Sequence, residues 1–147
     1  MNTKNIVQKV VVGGVIFNDN KVLIVQRNSN EDVFPNLWEL PSGKKEVLET
    51  ADDALIREIF EETGIKVKII MPFDIFNYQI EKPDAIKDST QINYLVKLEN
   101  NSEVKLSSEH QKFAWINEAE VDDYNLSEST KNTIKKAFTI SKKNVLL

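Results

Sequence analysis

One segment constrains the fold of this chain more than any other. It runs from Gly43 to Ile65 and reads GKKEVLETADDALIREIFEETGI. Thr50, followed three positions later by Asp53, resembles a capping box that begins a helix. Gly64 can take the left-handed backbone conformation that ends one. The segment therefore predicts a helix that begins after Thr50 and ends before Gly64.

Two apolar stripes run along this predicted helix. Leu55 and Ile59 form the first, and Ile56 and Phe60 form a second stripe further round the helix. Apolar side chains gain free energy when they are removed from water. We therefore expect other parts of the chain to pack on this helix from more than one direction.

Three glutamates share one side of the predicted helix. At 3.6 residues per turn, Glu58, Glu61 and Glu62 fall within an arc of roughly 100°. The helix dipole disfavours acids in the last turn, by roughly 0.3–1 kcal/mol each, and Glu58 and Glu62 also repel each other as an i,i+4 pair. Converging carboxylates suit Mg²⁺, whereas a run of charge is more often a solvated face. On charge and spacing alone, both interpretations stay open.

The spacing of the fixed residues narrows this choice. The chain fills every fixed position of the pattern G-x5-E-x7-R-E-U-x-E-E-x-G-U, in which U is aliphatic, with Gly43, Glu49, Arg57-Glu58-Ile59, Glu61-Glu62, Gly64 and Ile65. This pattern is the Nudix box, and the chain resembles a Nudix hydrolase over most of its length. The resemblance implies a Nudix-type α/β/α sandwich, with a mixed β-sheet between helices.

Length, charge and cysteine content exclude several classes of protein. The 147 residues fit one domain that covers 1–147. The net charge of −4 argues against a nucleic-acid duplex as the main partner. Without cysteine, the chain can form neither disulfides nor a zinc–thiolate site. No apolar run is long enough for a membrane span, and the start MNTKN does not resemble a signal peptide, so we expect a cytoplasmic protein with no membrane partner.

Apolar runs on either side of the helix predict the sheet. Lys9–Phe17 and Lys21–Gln26 predict a β-hairpin, and Gly13-Gly14 predicts a bulge or a close backbone approach. Further predicted elements are strands at Lys66–Ile70, Phe73–Ile80, Gln91–Leu98 and Phe113–Ile116, a helical turn at Asn117–Tyr124 and a helix at Ser127–Ile140 with Ser127 as its cap. We expect two charged or polar surface loops, Asn28–Asn36 and Glu81–Thr90, to determine substrate selectivity.

The resemblance implies a role for each charged residue of the box. Glu58 and Glu62 are the expected principal metal ligands, and Glu61 is expected to assist directly or through water. Arg57 is expected to orient a neighbouring carboxylate. Glu49 is expected to pair within the motif or to hold a water molecule.

The segment before the box also resembles the family. Residues 37–43 read LWELPSG, which is similar to a Trp-x-x-Pro-Gly-Gly lead-in, with Ser42 in place of the first glycine. In some relatives the carbonyl of the glycine at position Gly43 is a metal ligand, so Gly43 is a candidate here. Trp38 has two interpretations: it stacks on a substrate base, or it packs in the core beside Leu37 and Leu40.

Three residues outside the box are further candidates. By resemblance, Arg27 lies near the substrate phosphates, although an ion pair with Glu31 or Asp32 explains it equally well. Glu109, six residues before Trp115, resembles a loop acid that serves some relatives as a metal ligand or general base, and its alternative is an exposed loop residue. His110, the only histidine, suits a general base by its chemistry, but we expect a surface residue.

These residues imply a reaction and a set of substrates. By resemblance, the chain is a Mg²⁺-dependent hydrolase, with Mn²⁺ able to substitute, and it cleaves a nucleoside diphosphate linked to another group. The expected substrate is a nucleoside triphosphate, ordinary or oxidised, that yields a monophosphate and pyrophosphate. ADP-ribose, nucleotide sugars, dinucleoside polyphosphates and a non-catalytic nucleotide-binding module stay open as alternatives. A homodimer also stays open, because many relatives are dimers.

Overall fold

The computed structural model describes residues 3–100 and 102–143. Over these residues it contains seven strands, two α-helices and one short 3₁₀ helix. In chain order they are β1 (Asn5–Asn18), β2 (Lys21–Arg27), β3 (Trp38–Glu39), β4 (Ser42–Lys44), α1 (Ala51–Thr63), β5 (Val67–Glu81), β6 (Ala85–Leu98), β7 (His110–Ile116), the 3₁₀ helix (Glu118–Asp123) and α2 (Glu128–Lys143). Among the described residues, no helix is long and apolar enough to cross a membrane.

The strands form one mixed sheet. Its main path runs β3-β2-β1-β6-β5, with β4 paired to β1 and β7 paired to β2. Strands β1 and β6 run parallel over thirteen residue pairs, from Asn5↔Ala85 to Phe17↔Lys97, and the other pairs are antiparallel. The predicted mixed sheet is confirmed.

A helix covers each face of the sheet. Helix α1 packs its apolar side on one face, in a core made by Val12, Ile16, Leu23, Ala54, Leu55, Ile59, Ile65, Val67, Tyr94 and Val96. Helix α2 covers the other face, in a core that includes Val15, Phe17, Val22, Ile24, Leu95, Ile116, Ile134, Ala137 and Phe138. The predicted α/β/α sandwich is therefore confirmed. We refer to the two sides of the sheet as the α1 face and the α2 face.

The local signals at the ends of α1 work as predicted. Thr50 caps the helix, because its side-chain oxygen accepts a hydrogen bond from the amide of Asp53 at 3.1 Å. Gly64 has φ of 72° and donates its amide to the carbonyl of Phe60 at 2.8 Å. The second apolar stripe does not pack as predicted. Ile56 is 42% exposed and Phe60 is 51% exposed, so α1 packs on the sheet through Ala54, Leu55 and Ile59 instead.

Two predictions about the sheet need correction. The segments Lys66–Ile70 and Phe73–Ile80 are not separate strands, because β5 runs unbroken from Val67 to Glu81 and shifts register on either side of Pro72. These irregularities accommodate the proline without ending the strand. The Glu81–Thr90 segment is not a long loop, because β6 already begins at Ala85.

The paired glycines of β1 mark a close backbone approach, one of the two predicted outcomes. Gly14 donates its amide to the carbonyl of Pro41 at 3.0 Å. A Cβ atom added at Gly13 would lie 2.5 Å from Asn93 Oδ1. The hydrogen bond between Gly14 and Pro41 places the β3–β4 segment beside β1.

Candidate active site

Arg57 is the centre of one half of the acidic cluster. Its guanidinium grips Glu49 with two hydrogen bonds, from Nε at 2.7 Å and from Nη2 at 2.9 Å. Its Nη1 also donates to Glu58 Oε1 at 2.9 Å and to Glu61 Oε2 at 3.2 Å, and Nη2 reaches the carbonyl of Lys44 at 3.1 Å. Arg57 thus orients neighbouring carboxylates, as expected, and Glu49 pairs within the motif.

These contacts strongly stabilise the ionised form of Glu49. Hydrogen bonds from Arg57 and from the Glu46 amide lower the pKa of Glu49 from 4.5 to about 2. The same partnership raises the pKa of Arg57 above its ordinary value. The Arg57–Glu49 fork is therefore a fixed ion pair that braces the loop before α1 against the helix.

Glu58 lies directly over the backbone of Gly43. A Cβ atom at Gly43 would come within 2.0 Å of Glu58 Cδ, so a side chain at this position would collide with the carboxylate. Burial raises the pKa of Glu58, although Arg57 opposes the shift. Gly43 is thus required for the close approach of α1 to β4, which brings a backbone segment and a carboxylate to one point.

Glu62 is the most buried acid of the site, at 6% exposed. Its Oε2 accepts a hydrogen bond from the amide of Ser42 at 3.2 Å. Burial raises the pKa of Glu62 to about 9, and the negative charges of Glu39, Glu58 and Glu109 add to the shift while the Ser42 hydrogen bond opposes it. Arg57 binds the other box glutamates and not this one, so Glu62 lacks a balancing cation among the described residues.

Glu39 is a site residue that the sequence interpretation missed. It pairs with Val25 in the sheet and lies on the α1 face, because its neighbours Trp38 and Leu40 pack into the core of the α2 face. Strand alternation was the available signal: an acid between two inward apolar residues must point to the other side. Glu39 thereby joins the carboxylates of α1 from the strand side.

His110 is buried, which corrects the expectation of a surface residue. Its residue exposure is 5%, and its Nε2 lies 2.8 Å from Glu39 Oε2. The register of β7 against β2 explains the burial, because His110 pairs with Arg27 at the bulged end of the two strands. The buried histidine therefore holds the carboxylate of Glu39 through a hydrogen bond.

Arg27 and Trp38 make contacts within the protein. Arg27 lies 3.5 Å from Glu31 and 3.6 Å from Glu39, so the ion-pair interpretation is supported and its role at phosphates stays a prediction. Trp38 packs edge-on against Tyr124, with ring centroids 5.0 Å apart and an interplanar angle of 79°. These contacts favour the core interpretation of Trp38, and base stacking stays a prediction.

Glu109 lies on an exposed loop that reaches the box. Its carbonyl accepts a hydrogen bond from the amide of Asn28 at 2.9 Å, and its own amide donates one to Ser107 Oγ at 3.4 Å. Its charge contributes to the raised pKa values of both Glu58 and Glu62. The loop therefore brings a further acid toward the helix, as expected, and its chemical role stays a prediction.

The donor set fits a hard divalent cation. It consists of carboxylate oxygens around a backbone segment, and Mg²⁺ prefers oxygen ligands. In the arrangement described for 3–100 and 102–143, no three acidic or histidine side chains are gathered closely enough to hold an ion. Glu58 is turned to Arg57 and Glu62 to the Ser42 amide. A cation between them would favour the ionised form of Glu62, which burial now disfavours.

Comparison with known proteins decides the family. The profile of the NUDIX domain matches residues 7–137. The chain belongs to the Nudix family. This Nudix protein is 32% identical over 133 residues to the nucleoside triphosphatase NudI of Escherichia fergusonii, and the match covers 86% of the chain and 94% of NudI. It is a hydrolase that acts on phosphoanhydride bonds, and members of its family generally use a divalent metal ion, typically Mg²⁺.

Solved structures share the fold. A MutT Nudix hydrolase from Burkholderia pseudomallei superposes with a TM-score of 0.71 at 23% identity, covering 87% of this chain and 96% of that one. An Ap4A hydrolase from C. elegans superposes with a TM-score of 0.74 at 22% identity, covering 92% and 99%. Both structures therefore share the fold of this chain.

Proposed function

We propose that this Nudix hydrolase is a Mg²⁺-dependent pyrophosphohydrolase that converts a nucleoside triphosphate to a monophosphate and pyrophosphate. The observation that carries the proposal is Glu62, a buried acid that lies near other acids and has no cationic side chain as partner in the part of the chain that the structure describes. A structural ion network would neutralise such a group, as Arg57 neutralises Glu49. The similarity to the nucleoside triphosphatase NudI over most of both chains supports the substrate class.

The side chains divide the work. Glu58 and Glu62 would hold the metal ion, with Glu61 assisting and the Gly43 carbonyl as a further donor. When bound, Mg²⁺ would neutralise charge on the phosphate oxygens and activate water for attack. Arg57 keeps Glu58 and Glu61 in place through its hydrogen bonds. Positioning and electrostatics carry most of the rate of such reactions.

The remaining candidates act on the water and the phosphates. Glu109, an exposed loop residue, accepts the proton of the attacking water. One P–O bond of the anhydride breaks, the water oxygen forms the new P–O bond, and the leaving phosphate takes the electron pair. Arg27 binds phosphate oxygens by exchanging its contact with Glu31. The whole chain, 1–147, acts as a single domain.

Hydrolysis of a nucleotide panel tests the proposal. The panel contains ordinary and oxidised nucleoside triphosphates, ADP-ribose, nucleotide sugars and dinucleoside polyphosphates. Each compound is incubated with Mg²⁺, with Mn²⁺ and with chelator, and released phosphate and pyrophosphate are measured separately. We expect metal-dependent pyrophosphate release from triphosphates and none in chelator.

Three outcomes would change the proposal. Metal-dependent turnover of ADP-ribose, sugars or dinucleotides alone would replace the substrate class and keep the metal chemistry. Turnover that persists in chelator would overturn the metal assignment. Silence across the panel, with a cooperative thermal unfolding transition as proof of an intact fold, would reject the triphosphatase and favour a binding module.

A further inference from the structure

Glu39 is fixed in place by two basic side chains. His110 Nε2 lies 2.8 Å from Glu39 Oε2, and Arg27 Nη1 lies 3.6 Å from the same oxygen. Both contacts use Oε2, which leaves Oε1 for another partner. The Glu39 side chain is only 26% exposed, so its orientation is set by these neighbours and not by solvent.

The surroundings of His110 indicate which hydrogen it carries. The side chain of His110 is 1% exposed, and its Nδ1 is buried without a hydrogen-bond partner in the described part of the chain. A buried N–H without an acceptor costs roughly 1–3 kcal/mol. We therefore assign a hydrogen to Nε2, which donates to Glu39 Oε2.

The chain geometry places Glu39 beside the metal candidates. Glu39 ends β3, and only Leu40 and Pro41 separate it from Ser42, whose amide binds Glu62. Gly43 follows, under the carboxylate of Glu58. Glu39 points to the α1 face, so it approaches the same space from the sheet that Glu58 and Glu62 approach from the helix.

The charges around this space do not balance. Arg27 divides its guanidinium between Glu31 and Glu39 at distances beyond an ordinary hydrogen bond, and Arg57 is occupied by three other glutamates. Glu39 therefore shares the charge of Arg27 with Glu31. Its own negative charge adds to the repulsion that raises the pKa of Glu62.

We propose that Glu39 is a further carboxylate of the cation site, and that His110 and Arg27 are positioning residues that hold it toward Glu58 and Glu62. This inference rests on the metal dependence proposed above. Carboxylates at metal sites are themselves commonly hydrogen-bonded by a second layer of residues, whose loss typically costs 10–100-fold in metal affinity. Here that layer is a buried histidine.

Metal binding, measured without substrate, tests this assignment. Mn²⁺ is titrated into the wild-type protein and into Glu39→Gln, and free Mn²⁺ is followed by electron paramagnetic resonance. Glu31→Gln is the matched control, because Glu31 pairs with the same arginine at a similar distance. We expect Glu39→Gln to weaken Mn²⁺ binding by ~10-fold or more and Glu31→Gln to leave it within about twofold.

The histidine is tested by a rescue pair. His110→Gln retains an N–H donor that can reach Glu39, whereas His110→Leu has none. We expect His110→Leu to lose Mn²⁺ affinity and His110→Gln to recover most of it, beyond what a change in melting temperature explains. If both variants bind alike, His110 is not a positioning residue.

The outcomes separate this inference from the proposed function. Unchanged Mn²⁺ affinity in Glu39→Gln, together with Mg²⁺-dependent turnover by the wild type, would overturn the role of Glu39 and leave the proposed function standing. A wild-type protein that neither binds Mn²⁺ nor turns over nucleotides would overturn both. Equal losses of Mn²⁺ affinity in Glu39→Gln and Glu31→Gln would show that only the net negative charge of the region matters. That result would also reject the assignment of Glu39.

Discussion

The two halves of the acidic cluster differ in how their charge is balanced. Around Arg57, three glutamates share one guanidinium at 2.7–3.2 Å, and the pKa of Glu49 falls to about 2. Around Glu62, the nearest charges are other acids, and its pKa rises to about 9. Two glutamates of the same motif therefore have opposite electrostatic environments.

This contrast separates a scaffold from a binding site. A saturated ion pair fixes geometry and has little capacity for a ligand. Glu62, a buried acid with no cationic partner among the described residues, is where we propose that a cation binds. Glu58 connects the two halves, because it accepts from Arg57 on one side and lies over Gly43 on the other.

Replacement of Glu62 should separate activity from stability. Glu62→Gln keeps the volume and the Ser42 contact but removes the ligand charge. We expect kcat/KM to fall by ~10²–10³-fold, as when a preorganised charge-stabilising group is lost, while the melting temperature in chelator holds or rises. Glu99→Gln, at an exposed position of the β6–β7 connection, is the control and should change neither. Near wild-type activity in Glu62→Gln would show that Glu62 is not part of a metal-binding half of the acidic cluster.

Gly43→Ala should break the link between the halves. The added Cβ would lie 2.0 Å from Glu58 Cδ, so the carboxylate must move, and a displacement of about 1 Å can cost ~10²-fold in rate. Gly14→Ala makes the same change where the nearest atom is a side-chain methyl of Ile59, at 3.0 Å. We expect steady-state kinetics to show the large loss in Gly43→Ala only. A similar loss in both variants would indicate general misfolding.

The two halves should have opposite effects on stability as pH changes. The pKa of Glu62 is raised from 4.5 to about 9, so its contribution is present below pH 4.5 and is lost as pH rises toward 9. The pKa of Glu49 is lowered from 4.5 to about 2, so its contribution is present above pH 4.5 and is lost as pH falls toward 2. Urea unfolding in chelator, repeated across pH, measures both.

Single variants identify which residue produces each pH dependence. We expect Glu62→Gln to remove part of the loss on the alkaline side, and Glu49→Gln to lower stability at neutral pH and flatten the acid side. Identical pH profiles for the two variants would show that burial and ion pairing do not distinguish these glutamates.

Gly64→Ala should give the smallest effect. Gly64 has φ of 72°, and an L-residue in that conformation costs roughly 1–2 kcal/mol of unfolding free energy. Because Gly64 ends α1 without touching the acids, we expect kcat/KM to hold well below the melting temperature. Gly64→Asn, which tolerates the left-handed region better, should lose less. A large loss of activity in Gly64→Ala would show that the end of α1 also orients the site.

Local and family signals anticipated much of the protein. The bounds of α1 follow from Thr50 and Gly64, whose effects reach only a few residues along the chain. The box pattern alone indicated the Nudix sandwich, which the sheet and the two helices confirm. The partners of Arg57 could also be anticipated from the sequence, because they lie within one helical turn of it or in the loop that precedes the helix.

What the sequence determined by itself was therefore the helix, its carboxylates and the family. Only the tertiary structure decided which of those acids are neutralised, because that depends on contacts between residues far apart in sequence. The pairing of Glu39 with His110 spans 71 positions, and the continuity of β5 depends on its partner β6. Burial and charge compensation are properties of the assembled fold, and no local pattern contains them.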